Sequence, residues 1–151
     1  MQFAEIERLA SNWFNPLLEE QRLAFRGAVQ AILGDASSRG MAYSPPTYFA
    51  VERRAQQEVE QRGRTMLDGY KRALTATSGA VSREIVVRIK EKLNTALVAE
   101  SEHVHSGIEY VRVAIKPAQT KTTAELCARP LQKLMADFDL FVAQLNSSAN
   151  S

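Results

Sequence analysis

The sequence predicts an all-α fold, an antiparallel bundle of about four long helices with the first divided near Pro16, and three observations predict it. Apolar residues recur at spacings of three, four and seven in four separate stretches, the signature of one helical face. The stretches are joined by one long and two short connections holding Pro, Gly and Ser residues that interrupt helices. The one strand-like alternation, Val111, Val113 and Ile115, has only the faintly extended region around Met41 and Tyr43 to pair with, and a lone strand is not stable.

The first helix uses Phe3, Ile6, Ala10, Trp13, Leu17, Ala24, Ala28 and Ala31 as its seam, with Leu18, Phe25 and Ile32 beside it. Asn15-Pro16 reads as a restart, because Asn caps helices well and Pro suits the first helical position. The expectation is a short helix to about Asn12 and a longer one from Pro16 to Leu33, with a continuous kinked helix as the alternative. Gly34 then closes it, and Asp35 to Ser44 is expected to be the longest loop, crossing the end of the bundle before Pro45-Pro46. Its glycines are isolated and no lysine follows them, so it is no phosphate cradle.

The second helix is expected from about Thr47 to Ala76, with Glu52, Ala55, Val59, Gly63, Met66, Tyr70 and Ala73 along its seam. Ala55, Gly63 and Ala73 are small enough to let a neighbouring helix approach closely. Ser78-Gly79 breaks the pattern and makes the next helix antiparallel to this one.

Residues 81–115 hold the densest apolar run, with Ile85, Ile89, Leu93, Ala96, Leu97, Val104, Ile108, Val111 and Ile115 in helical register. Unbroken, this helix would be about 50 Å long. Its wide apolar stripe assigns it the central place in the bundle. For residues 108–116 a strand remains the rival, with Gly107 ending the helix in the left-handed conformation.

After Pro117, the Thr122 to Glu125 spacing is that of a capping box. The last helix carries Leu131, Leu134, Met135, Phe138, Phe141, Val142 and Leu145, and Pro130 either kinks it or starts it afresh. Residues 1–146 are expected to form a single domain, followed from Asn146 onward by a frayed polar tail through residues 147–151.

Composition narrows the function classes. With 45% hydrophobic and 24% charged residues the chain is too apolar to be disordered. Nineteen basic and seventeen acidic residues give a net charge of +2, which does not call for nucleic acid as a partner. Cys127 is the one cysteine, so a disulfide framework within the chain is excluded and a reducing, cytoplasmic location is expected. No secretory signal and no apolar span of membrane length are visible.

Two clusters bear on chemistry. Glu100, Glu102, His103 and His105 contain two overlapping Glu-x-x-His spacings, half the ligand pattern of carboxylate-bridged di-metal bundles. The chain has no further histidine, and the two pairs point about 200° apart on a helical wheel, so the prevailing expectation is a solvated face and the alternative is a metal-binding bundle protein or an enzyme that uses these Glu and His residues, its site completed from another helix or a second protomer. Arg53, Arg64 and Lys71 fall within about 20° of one another on the second helix and are the candidate phosphate contacts. Glu60 and Asp68 interrupt that face, as intrahelical ion pairing does, so at most weak nucleic-acid association is expected. Neither a nucleophile elbow nor a cofactor signature is present, and nothing supports an enzyme assignment. The function expected from sequence is a non-catalytic helical interaction module, acting through homo-oligomerisation or a protein partner. An apolar cavity holding a small ligand is the competing outcome.

Overall fold

The computed structural model describes residues 2–77 and 79–150. Met1, Ser78 of the expected Ser78-Gly79 break and Ser151 of the expected tail lie outside them. The elements are α1 (Phe3–Ser38), α2 (Pro45–Thr75), α3 (Arg83–Gly107), α4 (Glu109–Ile115) and α5 (Thr123–Ala149). All are helices, and no strand occurs among the described residues. Four long helices therefore form the predicted all-α bundle, and their buried side chains meet in one cluster.

Helix α1 is not divided near Pro16. It runs unbroken through that proline for 36 residues. A proline inside a helix frees the carbonyl four residues before it; here that residue is Asn12, which is exposed, so water can take the carbonyl. The seam also differs beyond the proline: Leu18, Phe25, Val29 and Ala36 are buried, whereas Ala24 and Ala31 are exposed. Alanine is apolar in the pattern but has little area to bury, so the larger residues of the adjacent stripe set the helix's rotation. Gly34 does not end α1, which continues to Ser38, and the connection to α2 shrinks to residues 39–44. There the Met41 carbonyl accepts hydrogen bonds from the Ser44 and Thr47 hydroxyls at 2.8 and 2.7 Å. Pro45 and Pro46 open α2, where their missing N–H groups cost nothing.

Helix α2, not the apolar third stretch, is the hub of the bundle. It packs on α1 most extensively and also on α3, α4 and α5; α3 touches as many helices but packs on them less extensively. Every residue of its expected seam is buried, together with Tyr48, Glu58, Arg62 and Gly69. Burial pushes the Tyr70 phenol up to about 12, with the Glu7 carboxylate adding to the shift, and raises that of Tyr48 further with help from Glu52.

The third stretch breaks where the strand alternative placed its boundary, but both parts are helical. Gly107 is the last residue of α3 and has no positive φ; the turn is made at Ile108, with φ −108° and ψ 1°, and α4 follows. Lys116, in the left-handed conformation, ends α4. Residues 108–116 thus bury Ile108 and Val111 at helical spacing.

In α5 the capping box is present, with the Thr122 hydroxyl accepting from Glu125 N and the Glu125 carboxylate accepting from Thr122 N. Pro130 lies inside the helix and neither ends nor restarts it. Lacking an N–H, it leaves the carbonyl of buried Leu126 without its helical donor, and the Gln56 side-chain amide of α2 supplies the replacement at 2.9 Å. Gln56→Ala is therefore expected to cost about 1–3 kcal/mol in urea unfolding, the penalty for stranding a buried acceptor. Gln56→Glu, which cannot donate, should do no better. Asn146, expected to begin a frayed tail, instead holds the α2–α3 connection: its Oδ1 accepts from Val81 N at 2.7 Å, and α5 continues to Ala149.

Candidate functional site

Three rows of polar residues, each at i, i+4 or i, i+3 spacing, converge where α1, α2 and the end of α3 meet. Helix α1 contributes Arg22 and Arg26, α2 contributes Arg54, Glu58 and Arg62, and α3 contributes Glu100 and His103. Glu58 and Arg62 share the turns of α2 that bury Val51, Ala55 and Val59, and Glu100 is in phase with Leu93, Leu97 and Val104. The apolar residues that bury these faces carry the charges inward with them.

The result is a continuous ionic chain. Arg62, only 2% exposed, donates from Nε to Glu58 at 2.7 Å and from Nη1 to Glu100 at 2.9 Å. Arg22 pairs with the other oxygen of Glu100. Arg54 Nη1 lies 3.0 Å from the other oxygen of Glu58, an ion pair whose angles are not those of a hydrogen bond. Beneath them the Phe25 ring sits 5.4 Å from the Arg54 guanidinium carbon and 5.8 Å from that of Arg62. Aromatic faces attract cations, so this ring helps hold two guanidinium groups in place. Three arginines face two glutamates, which leaves the chain with one net positive charge.

A groove of about 600 Å³ opens over this chain. Arg22, Arg26, Arg62 and His103 supply cationic or cationisable side chains to its lining, and Phe25 and Val29 supply apolar surface. Tyr110 of α4 closes one side and receives a hydrogen bond from Gln30 of α1 at 3.0 Å. No carboxylate lines the groove among the described residues. Among the described residues, Arg22 Nε is buried with no hydrogen-bond partner, and no protein hydrogen bond engages Arg62 Nη2.

The structure separates the candidate metal ligands. Glu100 is buried and its oxygens face Arg22 and Arg62, so the expectation of a wholly solvated face fails at this residue. His103 is exposed, with Nδ1 3.9 Å from Glu100. Glu102 is exposed and His105 half-buried on another side. Glu100 and His103 do come together, but among the described residues no group of three or more His, Cys, Asp or Glu side chains gathers as a metal site requires.

Arg53 and Arg64 are exposed, while Lys71 is half-buried with its ammonium 5.6 Å from the Phe141 ring. Glu60 shares this side of α2 and binds Lys133 at 3.0 Å; that hydrogen bond holds its carboxyl below the usual range. The face is thus mixed in charge and engaged with α5, not a free basic stripe.

Among the residues of the ionic chain and the groove above it, sequence reasoning singled out Glu100 and His103 and missed Arg22, Arg26, Arg62, Gln30 and Tyr110. A usable signal existed for Arg62, Glu58 and Glu100: charged residues falling in register with a buried seam. For Arg26 and Tyr110 there was none, since both are exposed and only the bundle's geometry brings them together. Comparison with protein-family models, curated proteins and solved structures returns no match to this chain.

Proposed function

We propose that the chain is a non-catalytic helical interaction module that receives a protein partner in the groove between α1 and the α3–α4 junction. The observation that supports this most strongly is the pairing of a buried guanidinium at the groove's floor with an open, carboxylate-free lining. Polar groups placed sparingly in an apolar-backed concavity are the usual composition of a recognition site, and Arg and Tyr are enriched where partners bind. Catalysis is not favoured by the same geometry. Glu58 and Glu100 are engaged by guanidinium groups and cannot serve as free bases, and Cys127 is buried in α5, outside the groove. A cytoplasmic location belongs to the same proposal and is supported by the free thiol of Cys127; no helix among the described residues is long and apolar enough to cross a membrane.

The proposal is tested by nuclear magnetic resonance with a mixed panel of neutral, acidic and basic organic fragments. The expected result is that amide shifts cluster at Arg26, Gly107 and Tyr110. Shifts scattered over the surface, or clustered elsewhere, would overturn the groove as the recognition site.

Self-association is a second reading, favoured by a separate observation. Met41, Tyr43, Phe49, Tyr110 and Val113 are exposed, and all lie at the end of the bundle where the α1–α2 turn and α4 sit. Exposed aromatic and apolar residues gathered at one end suit an interface between copies. Light scattering at rising concentration is expected to show a dimer on this reading, and a strict monomer removes it.

A further inference from the structure

We infer that the groove selects an acidic, extended segment of a protein partner, in which carboxylates alternate with apolar side chains. This rests on the groove being the recognition site, and it adds which chemistry is recognised there.

Charge complementarity supplies the first argument. The ionic chain carries one net positive charge, and Arg26, exposed and outside any ion pair among the described residues, adds a second. Two carboxylates would balance them. The Arg62 guanidinium is already oriented by Glu58, Glu100 and the Phe25 ring, so its free Nη2 can donate to an incoming oxygen without losing rotamer freedom on binding. Arg22 is held by Glu100 in the same way. A basic segment would face these cations directly, and a wholly apolar one would cover them without offering acceptors, so both are selected against.

Shape supplies the second. Along α1 the lining runs from Arg22 to Gln30, a rise of eight residue steps or about 12 Å of helix. That length matches about four residues of extended peptide. Two rows run side by side on this wall, Arg22 with Arg26 and Phe25 with Val29, one cationic and one apolar. Side chains of an extended chain turn alternately to opposite sides, so alternating acidic and apolar residues can address one row each. Gln30, Ser106 and the Tyr110 hydroxyl lie where they can hydrogen-bond the segment's backbone.

The experiment titrates the intact protein with three capped tetrapeptides, Glu-Leu-Glu-Leu, Gln-Leu-Gln-Leu and Lys-Leu-Lys-Leu, while following the amides of Gly107 and Tyr110. The expected result is that the glutamate peptide binds at least about 10-fold more tightly than the other two, weakens as salt is added, and loses about 10-fold in affinity in Arg26→Glu protein. Because Arg26 is exposed and unpaired, that variant should keep its unfolding midpoint, which separates lost recognition from lost fold. If the glutamine or lysine peptide moves the same amides with equal affinity, the acidic selection is overturned while the groove stands as the site. If none of the three moves them, the acidic selection is again overturned, and the fragment panel then decides whether the groove binds anything at all.

Discussion

Arg62→Ala is expected to lower the free energy of unfolding by about 3–5 kcal/mol, the cost of breaking a buried ion pair. Among the described residues Arg62 alone bridges Glu58 and Glu100, and its removal leaves two buried carboxylates facing each other across the space the guanidinium filled. Arg22 and Arg54 each neutralise one side of the pair, but neither reaches both. Arg62→Lys should recover part of the loss, because an ammonium keeps the charge but cannot extend planar Nε and Nη1 donors toward two acceptors. Replacing Arg62 by Met together with Glu58 and Glu100 by Leu should recover only part of it, because apolar side chains fill the space but Arg22 and Arg54 lose their carboxylate partners. Urea denaturation of the four proteins checks the order. A loss below about 1 kcal/mol in Arg62→Ala would mean that the network behaves as a solvated surface pair, and the orienting role given to it at the groove would go with it.

Gly69→Ala is expected to cost about 2 kcal/mol, although alanine is the better helix former by about 1 kcal/mol. A Cβ at residue 69 would lie 2.7 Å from Cδ2 of Phe14 and 2.8 Å from the backbone oxygen of Ala10. The Phe14 ring can turn aside, but a backbone oxygen moves only if α1 and α2 separate, and those two helices form the most extensive pairing in the bundle. Gly63 provides the contrast. There the nearest atom to an added Cβ is Cδ1 of Leu97 at 3.4 Å, an ordinary contact with a side-chain tip. Gly63→Ala should therefore be close to neutral, as better helix propensity offsets a small rearrangement of Leu97. Thermal or urea unfolding of the two variants side by side distinguishes them, and equal effects would show that the α1–α2 approach is not limited by Gly69.

Residues placed by local rules were legible in the sequence, and residues placed by partners were not. Thr122 and Glu125 cap α5 because both halves of the box lie within one turn, and the seam of α2 is buried residue for residue because its period is unbroken. The helix restarts read at Pro16 and Pro130 do not occur, and for a common reason. A proline removes one hydrogen bond and strains one turn, and whether the helix survives depends on what else satisfies the freed carbonyl. For Leu126 that is Gln56, 70 residues away in sequence and on another helix. Asn146 likewise reads as a tail residue until Val81 is brought against it.

The amino-acid sequence by itself determined that this chain forms four long amphipathic helices, where the last one begins, and which face of α2 turns inward, because helical period and capping act within a few residues. Only the tertiary structure decided which helix stands at the centre. Composition pointed to the apolar third stretch, yet α2, with Glu52, Glu58 and Arg62 among its fifteen buried residues, packs most extensively on the rest of the bundle. A buried charge is tolerated only where opposite charges from other helices meet it. Glu58 and Arg62 lie one turn apart on α2, but Arg22 and Glu100 are 78 residues apart, and no local pattern announces that they will meet. The same convergence leaves Arg26, Arg62 and Tyr110 around one groove, so the candidate site is a property of the packing of α1, α2, α3 and α4, not of any segment taken alone.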